Sequence, residues 1–205
     1  MFAADYWIVL DDVQFTRRDY QHRARLAVLD NARERRWLSV PTHLPGGRQT
    51  VIREARIVDP VQSRRRTRPI LCQHYGTSPH WPAFDLALTV VLDLFGTTDK
   101  TAEIAEASTR ILLDLLGWKG QILHSSQLTA RPGRSQRLAD LAAATGARSY
   151  LCGTCGMKYL EPDLFKACGI TVTPFLAPVE DAWEYGCEIS ALLALMYLSR
   201  PASPR

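Results

Sequence analysis

"QILHSSQLTARPGRSQRLADLAAATGARSYLCGTCG", residues 121–156, decides the fold. A short β-prone run near 120–124 leads into "SSQL", a helical segment near 134–145 stops at Gly146, and a second β-prone run at 148–152 leads into "CGTCG". Strand, helix, strand is the parallel crossover unit, because parallel neighbours need a connection long enough to return the chain to the same end.

The same alternation extends outward from this unit. "YWIVL" (6–10) reads as a buried strand ending in Asp11 and Asp12, and "WLSV" (37–40) as another closed by Pro41. "VIREARIV" (51–58) alternates apolar and polar residues at period two and reads as a half-exposed strand, with the Pro and Gly of 41–47 turning the chain between these two. Helices are expected over 61–75, 82–95 and 101–116, then over 157–168 up to Gly169. "ITVTPFL" is one more strand, and an apolar helix spans 187–198. The fold class is therefore α/β. We expect a single domain over 1–198, with a mostly parallel sheet flanked by helices and a small strand pair near 37–58, followed by a disordered tail, "RPASPR", over 199–205.

With 205 residues and 46% hydrophobic composition, the chain can bury one well-packed core. The longest apolar stretches are broken by charges such as Asp93 or fall far short of a bilayer, so no membrane span is expected. The start, "MFAADYWIVLDD", is acidic where a secretory leader is basic, and the expected location is the cytoplasm. Five cysteines, at 72, 152, 155, 168 and 187, are odd in number and unevenly spaced, so free thiols are expected.

The formal charge is +4, and all basic residues except Lys100, Lys119, Lys158 and Lys166 are arginines. The clusters 16–25 and 63–68 suit phosphates or carboxylates, which the guanidinium fork matches bidentately. No nucleic-acid reading motif is present and acidic residues are interspersed, so a phosphate-bearing small molecule is the expected partner rather than nucleic acid. A homodimer is left open.

In an open parallel sheet, ligands sit beyond the carboxyl ends of the strands, where loops converge and helix N-termini point free N–H groups. Three polar loops follow apolar runs: "DDVQF", "HSSQ" and "CGTCG". Asp11 and Asp12 could act as acid and base or bind a metal, or one could simply pair with Arg17 or Arg18. The five histidines share no metal-ligand spacing, so neither a metal nor another cofactor is expected. Ser125 and Ser126 suit capping or phosphate contact. The C-x-x-C spacing of Cys152 and Cys155 reads as a redox pair, half a zinc site, a nucleophile's loop or a glycine turn.

"VLDDVQFTRRDYQHRARL" (9–26), "WLSVP" (37–41), "HYGTSPHW" (74–81), "HSSQL" (124–128), "GRSQRLADL" (133–141) and "YLCGTCGMKYL" (150–160) resemble, in order and spacing, the WbqC-like proteins across nearly the whole chain. Asp11, Asp12, Gln14, Phe15, Arg23, Ser125, Ser126, Arg137, Leu138, Gly153, Gly156, Tyr159 and Leu160 match the family pattern, while His22 and Ala24 stand where it favours asparagine. The resemblance implies a bacterial surface-polysaccharide setting and a role suggested to be glycine (aminoacyl) transfer onto a sugar. Because the family usually has serine or another small residue at both cysteine positions, it implies that Gly153 and Gly156 are what the loop is for, with Cys155 kept as a minority nucleophile.

Three readings follow. The first is an acyl or aminoacyl transferase acting on a sugar or other small acceptor in surface-polysaccharide or secondary-metabolite biosynthesis. In it Asp11 or Asp12 is general base or metal ligand, Arg17 and Arg23 neutralise donor phosphate, and the 153–156 loop lies along the donor. Gln14, Ser125, Ser126, Arg137 and Tyr159 complete the expected binding set. The second is a non-catalytic binding or partner subunit of a biosynthetic cluster. The third is a Cys155-dependent acyltransferase or hydrolase.

Overall fold

The computed structural model describes residues 3–29, 31–176 and 188–197. Its strands are β1 (Tyr6–Val9), β2 (Arg23–Val28), β3 (Asn31–Ser39), β4 (Thr42–His43), β5 (Arg56–Ile57), β6 (Gln121–His124), β7 (Ser149–Gly153) and β8 (Thr171–Phe175). Its helices are α1 (Pro60–Tyr75), α2 (Trp81–Leu94), α3 (Thr101–Leu115), α4 (Arg134–Ala144), α5 (Pro162–Lys166) and α6 (Leu192–Tyr197). The class is α/β, with a small sheet content. Among the described residues the strands form four separate pairs, β1–β6 and β7–β8 parallel, β2–β3 and β4–β5 antiparallel. The expected tail lies outside the described residues, as do residues 187 and 198 at the two ends of the expected last helix, which among the described residues starts only at Leu192.

The chain divides into two compact units, one holding the residues up to Asp12 with those from Lys119 onward through β8, the other holding 13–118 and α6. In the first unit the strand, helix and strand form as the sequence implies, with β6 and β7 each paired to a different strand. β1 pairs with β6 in register, Val9 beside His124, and α4 carries the chain back to β7. Gly133 precedes α4 at φ +111 and Gly146 follows it at φ +69, conformations open to glycine and strained for other residues. Ala139 and Ala142 of α4 pack with Cys152, Leu160, Ile170 and the fully buried Phe165.

The helix expected over 157–168 is instead a single 3-10 turn, Gly156–Lys158, and the short α5. Pro162 explains the break. It has no N–H to donate and holds Glu161 extended (φ −97, ψ 97), so no helix can run through this point.

In the second unit, α1 begins at an Asp59 N-cap whose side chain accepts from the Gln62 N–H at 2.8 Å, with Pro60 just inside. Leu71, Tyr75, Phe84, Leu88 and Ile104 from α1–α3 form one core with Leu26 of β2 and with Leu192, Leu193, Leu195 and Met196 of α6. β2 is not among the strands expected from the sequence, where Arg23 and Arg25 belong to the basic cluster 16–25. Its Arg23 and Arg25 guanidinium carbons lie 4.1 and 4.7 Å from the Trp37 ring centroid on the neighbouring strand, in cation–π contact.

The strand expected over 51–58 is a second correction. Val51 bridges Gln14, a 3-10 turn at Ile52–Glu54 follows, and only Arg56–Ile57 pair, with Thr42–His43. The period-two pattern therefore serves two short pairings on either side of a turn, with Ala55 and Ile57 facing the interior.

Tyr75 is fully buried, and its hydroxyl oxygen accepts from the Ala27 N–H at 3.2 Å; burial pushes its pKa up to about 12. Replacing Tyr75 with Phe strands that buried N–H. It should cost about 1–3 kcal/mol in a urea titration, and a loss near zero would mean the amide finds another acceptor.

Candidate functional site

Because β1 and β6 run parallel and in register, whatever follows each of them emerges at the same end. Asp11 and Asp12 follow β1, and Ser125 opens a 3-10 turn straight after β6. The two segments meet in the buried interior, where Asp11 is 7% and Ser125 1% exposed. The Asp11 carboxylate accepts from the Ser126 N–H at 3.0 Å, the Ser126 hydroxyl at 2.6 Å and the Ser125 hydroxyl at 3.2 Å. Ser125 also donates to Asp12 through a shorter contact, so one hydroxyl proton faces two carboxylates.

Arg137 completes the cluster from the start of α4. One of its terminal nitrogens donates to both Asp12 oxygens at 2.6 Å, with both side chains mostly buried, while its Nε is buried and has no hydrogen-bond partner among the described residues. The sequence had offered Arg17 or Arg18 as the partner of an aspartate; Arg137 is the partner of Asp12.

Burial raises the pKa of both carboxyls, and the donors outweigh it. For Asp11 these are the Ser126 hydroxyl, the Ser126 N–H and Ser125; for Asp12 they are Ser125, the Arg137 hydrogen bonds and the Arg137 charge. Both carboxyls end below the usual carboxylate value and stay ionised at neutral pH, which favours holding donors in place over accepting protons.

The first turn of α4 also reaches the loop after β7. The Arg134 guanidinium carbon lies 3.3 Å from the Tyr159 ring centroid, three residues before Arg137, and the buried Ser135 hydroxyl accepts from the Glu161 N–H at 3.2 Å. Neither Arg134 nor Ser135 was singled out from the sequence. Their signal was the spacing of 134 and 137, which places both arginines on adjacent parts of one helical turn.

The loop itself resolves the C-x-x-C question in part. Cys152 is a buried core residue whose thiol is pushed up by burial, the wrong direction for a thiolate ligand or redox nucleophile. A Cβ on Gly156 would sit 2.5 Å from the Cys152 sulfur, so glycine is needed there for close packing. A Cβ on Gly153 would meet nothing within 4 Å, so no steric demand from the chain itself explains that glycine. Cys155 is exposed at the head of the 156–158 turn. Among the described residues, no three His, Cys, Asp or Glu side chains gather as a metal site.

Gln14, Arg17 and Arg23 belong to the other unit. There Gln14 donates to the Arg48 carbonyl, and Arg23 donates to the carbonyls of Asp19 (3.1 Å) and Arg18 (2.6 Å) while covering Trp37. Arg23 thus pins its own loop, and Arg17 is exposed.

Comparison with known proteins gives two matches. The model of the WbqC-like protein family matches residues 1–186. The chain is also similar to "Uncharacterized protein Rv1507c" of Mycobacterium tuberculosis (strain ATCC 25618 / H37Rv), 24% identical over 175 residues, covering 83% of this chain and 72% of that protein. No solved structure matches.

Two measurements check this geometry. A carboxyl whose folded pKa lies below its unfolded value near 3.8 adds stability that is fully present above that value and is lost as pH falls through the folded pKa. Asp11→Asn should therefore show a shallower loss of stability than the wild type in urea titrations from about pH 6 to about pH 2. Gly156→Ala should destabilise by about 1–3 kcal/mol, and Cys152→Ala should recover part of that loss in a double-mutant cycle; strictly additive losses would rule out the close approach.

Proposed function

The chain belongs to the WbqC-like protein family, and we propose that it is an acyl or aminoacyl (glycine-type) transferase acting on a sugar or other small acceptor in cytoplasmic surface-polysaccharide or secondary-metabolite biosynthesis. One observation supports this most: Asp11, Asp12, Ser125, Ser126 and Arg137 are bonded together beyond the carboxyl ends of two parallel strands, where α/β folds hold ligands.

In this reading the acceptor's nitrogen or oxygen attacks the donor carbonyl carbon. The bond to the leaving group breaks with its electron pair, and the acceptor's proton departs with that group. Arg137, whose side chain is 28% exposed, meets the donor's phosphate or carboxylate, and its charge counters the negative charge that grows on the leaving group. Asp11 and Asp12, both held ionised, act as aligners of Arg137 and of the two serines rather than as strong bases.

A second reading, a non-catalytic binding subunit, is favoured by a different observation. Both oxygens of the Asp11 carboxylate already have donors within the chain, as in a centre built to hold loops still.

Thermal-shift titrations with acyl-coenzyme A esters and sugar nucleotides test the proposal, since a ligand at about 100 times its Kd adds about 2.7 kcal/mol. The wild type should be stabilised by a donor, Arg137→Gln should lose that ligand-induced increment, and acyl transfer to an amine or hydroxyl acceptor should be detectable with the wild type alone. Binding without turnover would favour the second reading, and a shift that Arg137→Gln leaves intact would remove the site.

A further inference from the structure

Packed interiors hold few voids larger than a water molecule. Among its described residues, the core of the second unit departs from that rule. A cavity of about 290 Å³ lies between the β2–β3 pair and the helices α1, α2 and α3. Its floor is the core itself, with Leu71, Phe84, Leu88 and Phe95 each 3–4% exposed, and it reaches the surface at Tyr20, which is 51% exposed.

Two regular elements form its walls. On α3, Thr101, Ile104, Ala105, Ser108 and Leu112 recur at the spacing of one helical face. On the sheet, Ala24 and Leu38 are paired across β2 and β3, and both line the cavity with Leu26. The Val40 N–H donates to the His22 carbonyl at 2.9 Å, which extends that ladder by one pair and puts His22 in phase with Ala24 and Leu26.

The chemistry of the walls calls for an apolar occupant with one polar end. The hydroxyls of Thr67, Ser108 and Thr109 donate to carbonyls of their own helices, Ser63 at 2.8 Å and Ala105 at 2.7 and 2.9 Å, so their protons are spent. A buried water needs roughly two to four polar partners, which such walls do not supply. His22 is different. Its Nδ1 is buried and has no hydrogen-bond partner among the described residues. Burial, then the charges of Arg23 and Arg17, hold its pKa below the ordinary value, so the imidazole is neutral at neutral pH and sits in a positive field. No carboxylate side chain is among the described residues that line the cavity. An anionic oxygen that accepts from Nδ1–H answers this end.

Size and shape set the rest. A dry cavity of about 150 Å³ holds a benzene ring, so about 290 Å³ holds about ten carbons. The lining follows α3 from Thr101 to Leu112, about 16 Å at about 1.5 Å per residue. The mean cross-section is therefore only about 18 Å², which suits one extended chain better than fused rings.

We propose that this cavity is a binding site for one aliphatic monocarboxylate of about ten carbons, its chain against Leu71, Phe84, Leu88 and Phe95 and its carboxylate on His22 Nδ1. The inference stands apart from the transferase reading, since neither Asp12 nor Arg137 lines the cavity.

The test titrates the full chain calorimetrically with hexanoate, octanoate, decanoate and tetradecanoate, each below the concentration at which it forms micelles. One molecule should bind per chain, with the Kd falling about fourfold for each added methylene up to decanoate and no further gain beyond it. Decanoate should bind roughly tenfold or more tighter than decanol, and decyltrimethylammonium should not bind. His22→Leu should bring decanoate down to the affinity of decanol while decanol binds as before. Ala105→Leu, which fills the cavity, should weaken decanoate binding by about tenfold or more without lowering the thermal midpoint. If that variant does not fold, the chain-length series and His22→Leu decide on their own. Failure of decanoate to bind, more than one decanoate per chain, or equal affinities for hexanoate and decanoate would overturn the proposal. So would equal affinities for the anionic and cationic probes, a preference for decanoate that survives His22→Leu, or wild-type affinity in a folded Ala105→Leu.

Discussion

The ion pair between Arg137 and Asp12 is the constraint on which the first unit turns. It fixes the start of α4 against the end of β1, and the Ser125 hydroxyl beneath it ties the same carboxylate to the end of β6. Removing one partner would strand a mostly buried charge, a loss of several kcal/mol in comparable sites. The surface pairs Arg56–Asp99 and Arg64–Asp93, with side chains about half exposed, are screened by water and constrain far less. Arg134 and Ser135 extend the same anchor to the loop after β7, so the polar segments after β1, β6 and β7 are all referred to one turn of helix.

The crossover was legible because its signals are local. Periodicity, Gly133 and Gly146 mark α4, and apolar runs mark β6 and β7 within a residue or two. α1, α2 and α3 were legible for the same reason. The elements that were misread depend on distant partners. β2 pairs along β3 and buries Leu26 and Ala27 against distant helices, and the 51–58 segment is split because its neighbours are Gln14 on one side of the turn and β4 on the other. Pro162 was a local signal that should have ended the 157–168 helix at the outset.

The site was half legible. Two aspartates, two serines and the loop of Gly153 and Gly156 could be placed at strand ends from pattern alone, and family resemblance supplied Arg137. The identity of the partners could not be read, since Asp12 and Arg137 are 125 residues apart and nothing local links them. Arg17 and Arg23 look suitable by charge and Gln14 by family resemblance, but Gln14 and Arg23 are held by carbonyls in their own unit. The paired cysteines misled in the opposite way, because spacing suggested chemistry where Cys152 is a packing residue against a glycine.

The chain order of the two units has a kinetic consequence. β1 precedes its partner β6 by 115 residues, Tyr6 opposite Gln121, with nearly all of the other unit in between. Closing a flexible loop of that length costs about 4 kcal/mol of chain entropy. An insert that has already folded holds its two ends at a fixed separation and removes most of that cost. That saving is complete only once α6, which closes the core of the helical unit from beyond β8, has emerged from the ribosome as well.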